Sequence, residues 1–352
     1  MNYGISILFR AIPLVMALFC FGYGLFVFNY GDDAGRLIAG PVVFSLGLIC
    51  IALFATAATI IRQIIHTYND IVRYALPLAG YTAAAIALGV GLFLIVASDI
   101  SAGFVAGHVI CGVGLITACV STTATASTRF KLIPVNSKSD DPRIPDKAFT
   151  GSQGALLIFI VFLISVVAWI WAFRLLAKSE TDSSYFVAGH VMAGLACICS
   201  SLIALVAAIV RQIRNTYTSI EQMWWHRYVL AVGTVSVIWG LVVLANPDPA
   251  NASTGYILIG LGLVCYSISS KVILLAKIWK QDYPLASRIP LIPVVTALAC
   301  LFLSAFLFEM GSVHAYYFVP ARVLAGLGAI CFTLFSIVSI LESGTSGKKS
   351  SD

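Results

Sequence analysis

Phe104-Val-Ala-Gly-His-Val109 recurs letter for letter as Phe186-Val-Ala-Gly-His-Val191. The chain around it is 60% hydrophobic and only 10% charged over 352 residues, with a mean hydropathy of +0.98. Soluble domains carry about 25% charged residues, so this composition specifies an integral membrane protein with short polar connections and no room for a soluble catalytic domain. The formal net charge of +6 comes from scattered basic residues at segment ends, not from a stripe or a basic helix, which argues against nucleic acid as a partner. The nine cysteines contain no C-x-x-C pair and fall almost entirely inside apolar runs, as small packing residues would.

Outward from the repeated motif, apolar runs of roughly 20 residues, enough to cross a bilayer core, follow one another along the chain. They predict ten spans, at about 8–29, 36–61, 73–97, 103–128, 153–177, 185–211, 227–246, 254–277, 289–310 and 316–341. Arg10 followed by the run Ala11–Phe28 resembles a secretory signal, but it lacks a small-x-small cleavage site and reads as a retained first helix. Such runs are too long and too little alternating for barrel strands. The predicted fold is therefore all-α and polytopic: one membrane domain over 1–352, paired into helical hairpins at about 8–70, 71–135, 151–220, 225–283 and 286–345.

All of the 21 basic residues except Arg36, Arg174, Lys178 and Arg322 lie at the termini, between hairpins or at the adjoining helix ends, including Lys271. The positive-inside rule then places both termini in the cytoplasm. The segment 129–152, with mixed charges and three prolines, reads as a cytoplasmic linker, and Lys271, two turns from that side, is expected to snorkel towards it. The turns within hairpins carry acid: Asp32 and Asp33, Asp99, Glu180 and Asp182, Asp248, then Glu309. Either these acids form an outward ring that concentrates cations, or they reflect only the shortage of basic residues on that side.

A register runs through the even-numbered spans. With Gly112 and Gly194 as position zero, the others align at Ser45, Gly260 and Gly326, at intervals of 67, 82, 66 and 66 residues, the long one containing the linker. Five residues on, the column reads Cys50, Thr117, Cys199, Cys265, Cys331; seventeen on, Arg62, Arg129, Arg211, Lys277, Ser343. Five like-oriented hairpins imply a pseudo-fivefold arrangement about the membrane normal. The even helices, small on two faces, are expected inside and the bulkier odd helices towards lipid.

Four residues before position zero the column reads Pro41, His108, His190, Tyr256, Arg322. Ionisable residues inside a span are functional candidates by default, and histidine titrates in the range an acid sensor needs. His108 and His190, with Tyr256, Arg322 and Glu309, are thus the candidates for proton sensing or for lining a pore. The alternative is that each imidazole hydrogen-bonds a neighbouring helix and ties hairpins together. Arg322 is expected to pair with Glu309, either as a structural ion pair or as a gate. No nucleophile–base pair, phosphate loop or metal cluster is recognisable, so no enzymatic activity, cofactor or metal is assigned.

Long blocks resemble the YhiM family of enterobacterial inner-membrane proteins, whose domain is of unknown function. They include Phe104 to Val109, Cys119-Val-Ser-Thr122, Phe186 to Val191, Cys265-Tyr-Ser-Ile268, Arg288-Ile-Pro290 and Cys331 to Glu342. Leu37-Ile-Ala-Gly-Pro-Val42 departs from the family pattern, which would place a histidine at Pro41. The resemblance implies a bacterial inner-membrane protein linked to survival at low pH, with no substrate and no catalytic residues. Two functions follow as expectations. One is a pH-responsive transporter or channel for protons, ions or small solutes, using the outward histidines. The other is a non-conducting structural or partner-binding protein that supports envelope integrity.

Overall fold

The computed structural model describes residues 3–64, 69–97, 101–129, 150–214, 216–246, 248–280 and 288–345. Asp99 and most of the linker 129–152 lie outside them. The described residues form ten long helices: α1 (Tyr3–Tyr30), α2 (Gly40–Ile64), α3 (Asp70–Ala97), α4 (Ser101–Ser127), α5 (Gly151–Leu176), α6 (Ser183–Ile213), α7 (Ser219–Leu244), α8 (Pro249–Lys280), α9 (Leu291–Gly311) and α10 (Phe318–Thr345). Every one is long and apolar enough to span a bilayer. Backbone groups in lipid must be satisfied within the segment, which is why apolar runs of this length fold as helices.

The predicted spans agree to within a few residues except at three starts. α1 begins at Tyr3 rather than 8, α7 at Ser219 rather than 227, and α8 at Pro249 rather than 254. Capping chemistry extends α7 and α8 past the apolar run. The Thr218 hydroxyl accepts the Glu221 N–H while the Glu221 carboxylate accepts the Thr218 N–H, and Asp248 accepts the Ala250 N–H. Thr150 and Gln153 form the same reciprocal box at the start of α5.

Each odd helix packs most extensively on the even helix that follows it, giving five antiparallel hairpins. The even helices then pack in a closed cycle, α2 on α4, α4 on α6, α6 on α8, α8 on α10 and α10 back on α2. Among the described residues no odd helix packs on another; each wedges between its own even helix and the preceding one. Burial follows this arrangement, at 61–94% of the span for even helices and 22–33% for odd ones. Most of the large apolar side chains left exposed, such as Phe93, Phe162, Ile170, Val242 and Phe302, sit on the odd helices. That outer surface is suited to lipid.

Two glycine faces set these contacts. Around the ring, a leucine from the next even helix fills the space over position zero. A Cβ built on Gly112, Gly194, Gly260 or Gly326 would lie within 2.8 Å of Leu195, Leu261, Leu327 and Leu46 respectively, so the leucine of α2 closes the ring over the glycine of α10. Within hairpins, glycine lets backbone meet backbone. A Cβ on Gly91 would lie 2.7 Å from the Cys111 nitrogen and 2.8 Å from the Gly107 carbonyl oxygen, and one on Gly240 would lie 2.7 Å from the Gly255 oxygen. The first hairpin departs locally. Pro41 has no N–H for the Leu37 carbonyl, and α2 is entered through a π-turn (Gly35–Ala39) in which the Gly40 N–H donates to the Gly35 carbonyl.

Gly91→Ala should destabilise the purified protein by the overpacking cost of about 1–3 kcal/mol, seen as a lower thermal midpoint, because rigid backbone stands where the methyl would go. Gly89→Ala, two residues away with nothing within 4 Å, should leave the midpoint unchanged or slightly higher. A tolerated Gly91→Ala would remove the close-approach account of the hairpin.

Candidate functional site

The ring of even helices encloses an axis, and the residues facing it recur at the same register on every helix. Towards the hairpin turns, a chamber of about 240 Å³ is lined by Ile38, Val105, Val187, Ser253 and Val319 at one level and by Val42, Val109, Val191, Ile257 and Val323 at the next. Ser101, Ser183 and Ser184 stand at its mouth. Below it lies a neck. Ile49, Ile116, Ile198, Val264 and Ile330 form one complete ring, and Leu53, Val120, Leu202, Ile268 and Leu334 form another. The free volume there is only about 30 Å³, room for no more than a water or two. From Leu261 to Lys271 the neck extends ten residues, roughly 15 Å at 1.5 Å per residue. At its lower end stand Thr56, Thr123, Leu205 and Lys271.

Lys271 was expected to snorkel, and it does not: it is 2% exposed and lines the axial cavity. Its register, eleven residues after Gly260, turns it inward with Val264 and Ile268. Among the described residues, no hydrogen bond or ion pair reaches its ammonium. The signal available in the sequence was the register itself, which places this lysine on the leucine- and isoleucine-bearing face.

The histidine column lies elsewhere. His108 and His190 are off the axis, and each meets the odd helix of the next hairpin. His108 packs edge-on to Trp171 of α5 (5.7 Å, 76°), and His190 to Trp239 of α7 (5.6 Å, 74°). Each is also stacked obliquely on its own motif phenylalanine, Phe104 at 4.2 Å and Phe186 at 4.1 Å. In both, Nδ1 lies 2.8 Å from that phenylalanine's carbonyl oxygen. A carbonyl only accepts, so Nδ1 carries the proton and Nε2 is the site open to protonation. Tyr256 meets Tyr317 of the fifth hairpin, and Arg322 has Tyr23 and Asp32 of the first hairpin as electrostatic neighbours. The column thus marks the seams between successive hairpins around the ring, and none of its residues lines the chamber or the neck.

Two further expectations change. Arg322 does not pair with Glu309, which is exposed. Its guanidinium lies over the rings of Phe318 (3.0 Å) and Phe308 (4.8 Å) and donates to the Phe318 carbonyl, a cation–π arrangement. The acids of the turns are exposed, and several are engaged as helix caps. Asp32 accepts the Gly35 N–H, Asp182 the Ser184 N–H and Asp248 the Ala250 N–H. The Ser184 N–H holds the Asp182 carboxyl below its ordinary value. Asp33 and Glu180 are exposed in their turns, and Asp99 lies outside the described residues. Among the described residues, no three of the histidine, cysteine and acidic side chains gather as a metal site.

An all-helical, ten-span membrane protein with an axial cavity is the class that this architecture defines. The chain belongs to the family described as "Protein of unknown function (DUF2776)", which matches residues 1–346. Among curated proteins, it is 47% identical to "Inner membrane protein YhiM" of Escherichia coli (strain K12) over 353 residues, covering 99% of this chain and 100% of that protein. It is accordingly a multi-pass inner-membrane protein.

The seam geometry predicts that His108→Phe and His190→Phe fold normally. Each imidazole N–H bonds only within its own helix, and phenylalanine keeps the ring against the tryptophan. Thermal unfolding at pH 7 should show a loss within about 1 kcal/mol per site. A collapse of stability would mean that the imidazoles tie the hairpins together.

Proposed function

We propose that this protein is a gated conduit of the inner membrane, with the pathway along the axis of the even-helix ring and the structure in its closed state. The observation that carries this reading is that all five even helices contribute side chains, level by level, to two successive pockets, a wide one near the turns and a narrow one lined by two complete apolar rings. Hydrophobic constrictions of this kind close by excluding water and open on a small radial expansion. The repeated register supports an origin in a duplicated hairpin. Basic residues at the end bearing the termini orient that end to the cytoplasm, so the chamber faces outward.

Acid would act on such a conduit at the seams. Protonating Nε2 of His108 and His190 places a cation against Trp171 and Trp239 and changes how successive hairpins pack, which alters the ring's radius without any titrating group in the path. This keeps the link to low pH that family resemblance suggests, with the histidines as modulators of packing. A second reading is a non-conducting scaffold; the 30 Å³ neck favours it to the extent that the ring never widens.

The test is to wet the neck. Leu195→Ser together with Leu261→Ser puts hydroxyls on the axis just above the isoleucine ring, and ion flux through proteoliposomes should rise by about tenfold or more over the native chain. Wild-type flux, small at pH 7, should increase towards pH 5, and His108→Phe/His190→Phe should abolish that increase. Flux equal to that of empty liposomes in the serine variant would favour the scaffold.

A further inference from the structure

Lys271 is the one axial group that the closed-conduit reading does not use. It is buried at 2% exposure at the lower end of the neck, among side chains that are otherwise aliphatic apart from Thr56 and Thr123. Both threonine hydroxyls are spent, donating to the Ala52 and Cys119 carbonyls of their own helices. Among the residues lining this cavity, the ammonium therefore holds the only N–H or O–H donors not already committed. A cation so placed is expensive in a low-dielectric interior unless a counter-charge or water reaches it. Among the described residues no carboxylate does. The neck that it lines has about 30 Å³ of free volume, enough for a water or two or for one small ion and too little for a larger solute.

We propose that this cavity binds a small inorganic anion of chloride size against the Lys271 ammonium, and that the axis consequently passes anions in preference to cations. A single charge at the narrowest, driest part of a pathway dominates its selectivity, because field lines are focused by apolar walls. The helix ends nearer Lys271 also carry Arg62, Arg129, Arg211 and Lys277, six residues further along than the Lys271 level. Arg211 is paired with Glu221 there. Their summed positive charge favours anions over cations at that end of the membrane domain.

The selectivity half rests on the conduit reading, and the binding half does not, so the experiment separates them. The full-length protein in detergent is unfolded thermally in sodium chloride and in sodium gluconate at equal ionic strength, gluconate being too large for the cavity. The wild type should show a saturable rise in midpoint with chloride alone. Lys271→Met, of similar length and apolar, should lose that rise and melt at or above the wild-type gluconate value, since it removes an unpaired buried charge. In liposomes, the Leu195→Ser/Leu261→Ser chain should favour chloride over potassium, and adding Lys271→Glu should reverse the preference. A chloride-dependent rise that persists in Lys271→Met overturns the site. A lysine-dependent rise without flux in any variant upholds the site and sinks the conduit. Flux whose ion preference ignores position 271 overturns the selectivity.

Discussion

Five like-oriented helices held side by side depend on one contact, made at four of the five junctions: a leucine of one even helix set into the gap over a glycine of its predecessor. In a bilayer there is no hydrophobic drive between helices, because lipid is as apolar as leucine, so association rests on how closely backbones and side chains interlock. Gly112, Gly194, Gly260 and Gly326 supply the gaps, and Leu195, Leu261, Leu327 and Leu46 fill them. The remaining junction, between α2 and α4, places Ser45 and Val113 at these two registers, a larger residue facing a smaller one. The same leucines turn part of their surface to the axis. What closes the ring also narrows its centre.

Parallel packing has an electrostatic consequence. The five even helices all begin at the turn end, so their dipoles place partial positive charge there and partial negative charge at the other end. Asp32, Asp182 and Asp248 cap the first, and Arg62, Arg129, Arg211 and Lys277 stand at the second. Asp32, Asp182 and Asp248 therefore act at helix termini, which accounts for the position of these three acids without a cation-collecting ring. The same distribution that suits a cytoplasmic face for the termini is what the helix ends require.

Much of this architecture was legible in the sequence because small residues at fixed intervals leave a one-dimensional trace of helix contact. The ten spans, the hairpin pairing and the inner position of the even helices follow from apolar length and from the glycine columns. The axial site was less legible. Polar residues draw attention in an apolar chain, so His108, His190 and Arg322 stand out, yet their register points to the seams. Most residues that line the axis are valines, leucines and isoleucines, indistinguishable by type from those facing lipid. Only angular position separates them, and a small error in helix phase moves a residue from neck to seam. Lys271 shows the point: by distance from the helix end it should reach water, and by phase it cannot.

Because the chamber and neck lie on one face of a single helix, α6 reports on both. The most direct measurement is the reaction of a membrane-impermeant thiol reagent, added to the turn side, with Val187→Cys, Val191→Cys, Leu195→Cys, Ile198→Cys and Leu202→Cys, each in a chain whose native cysteines are replaced. Labelling at 187 and 191 that stops abruptly at 195, and extends to 198 and 202 when Leu261→Ser is added, is the predicted result. Uniform protection along the whole face, with or without Leu261→Ser, would contradict a water-filled chamber above an apolar neck.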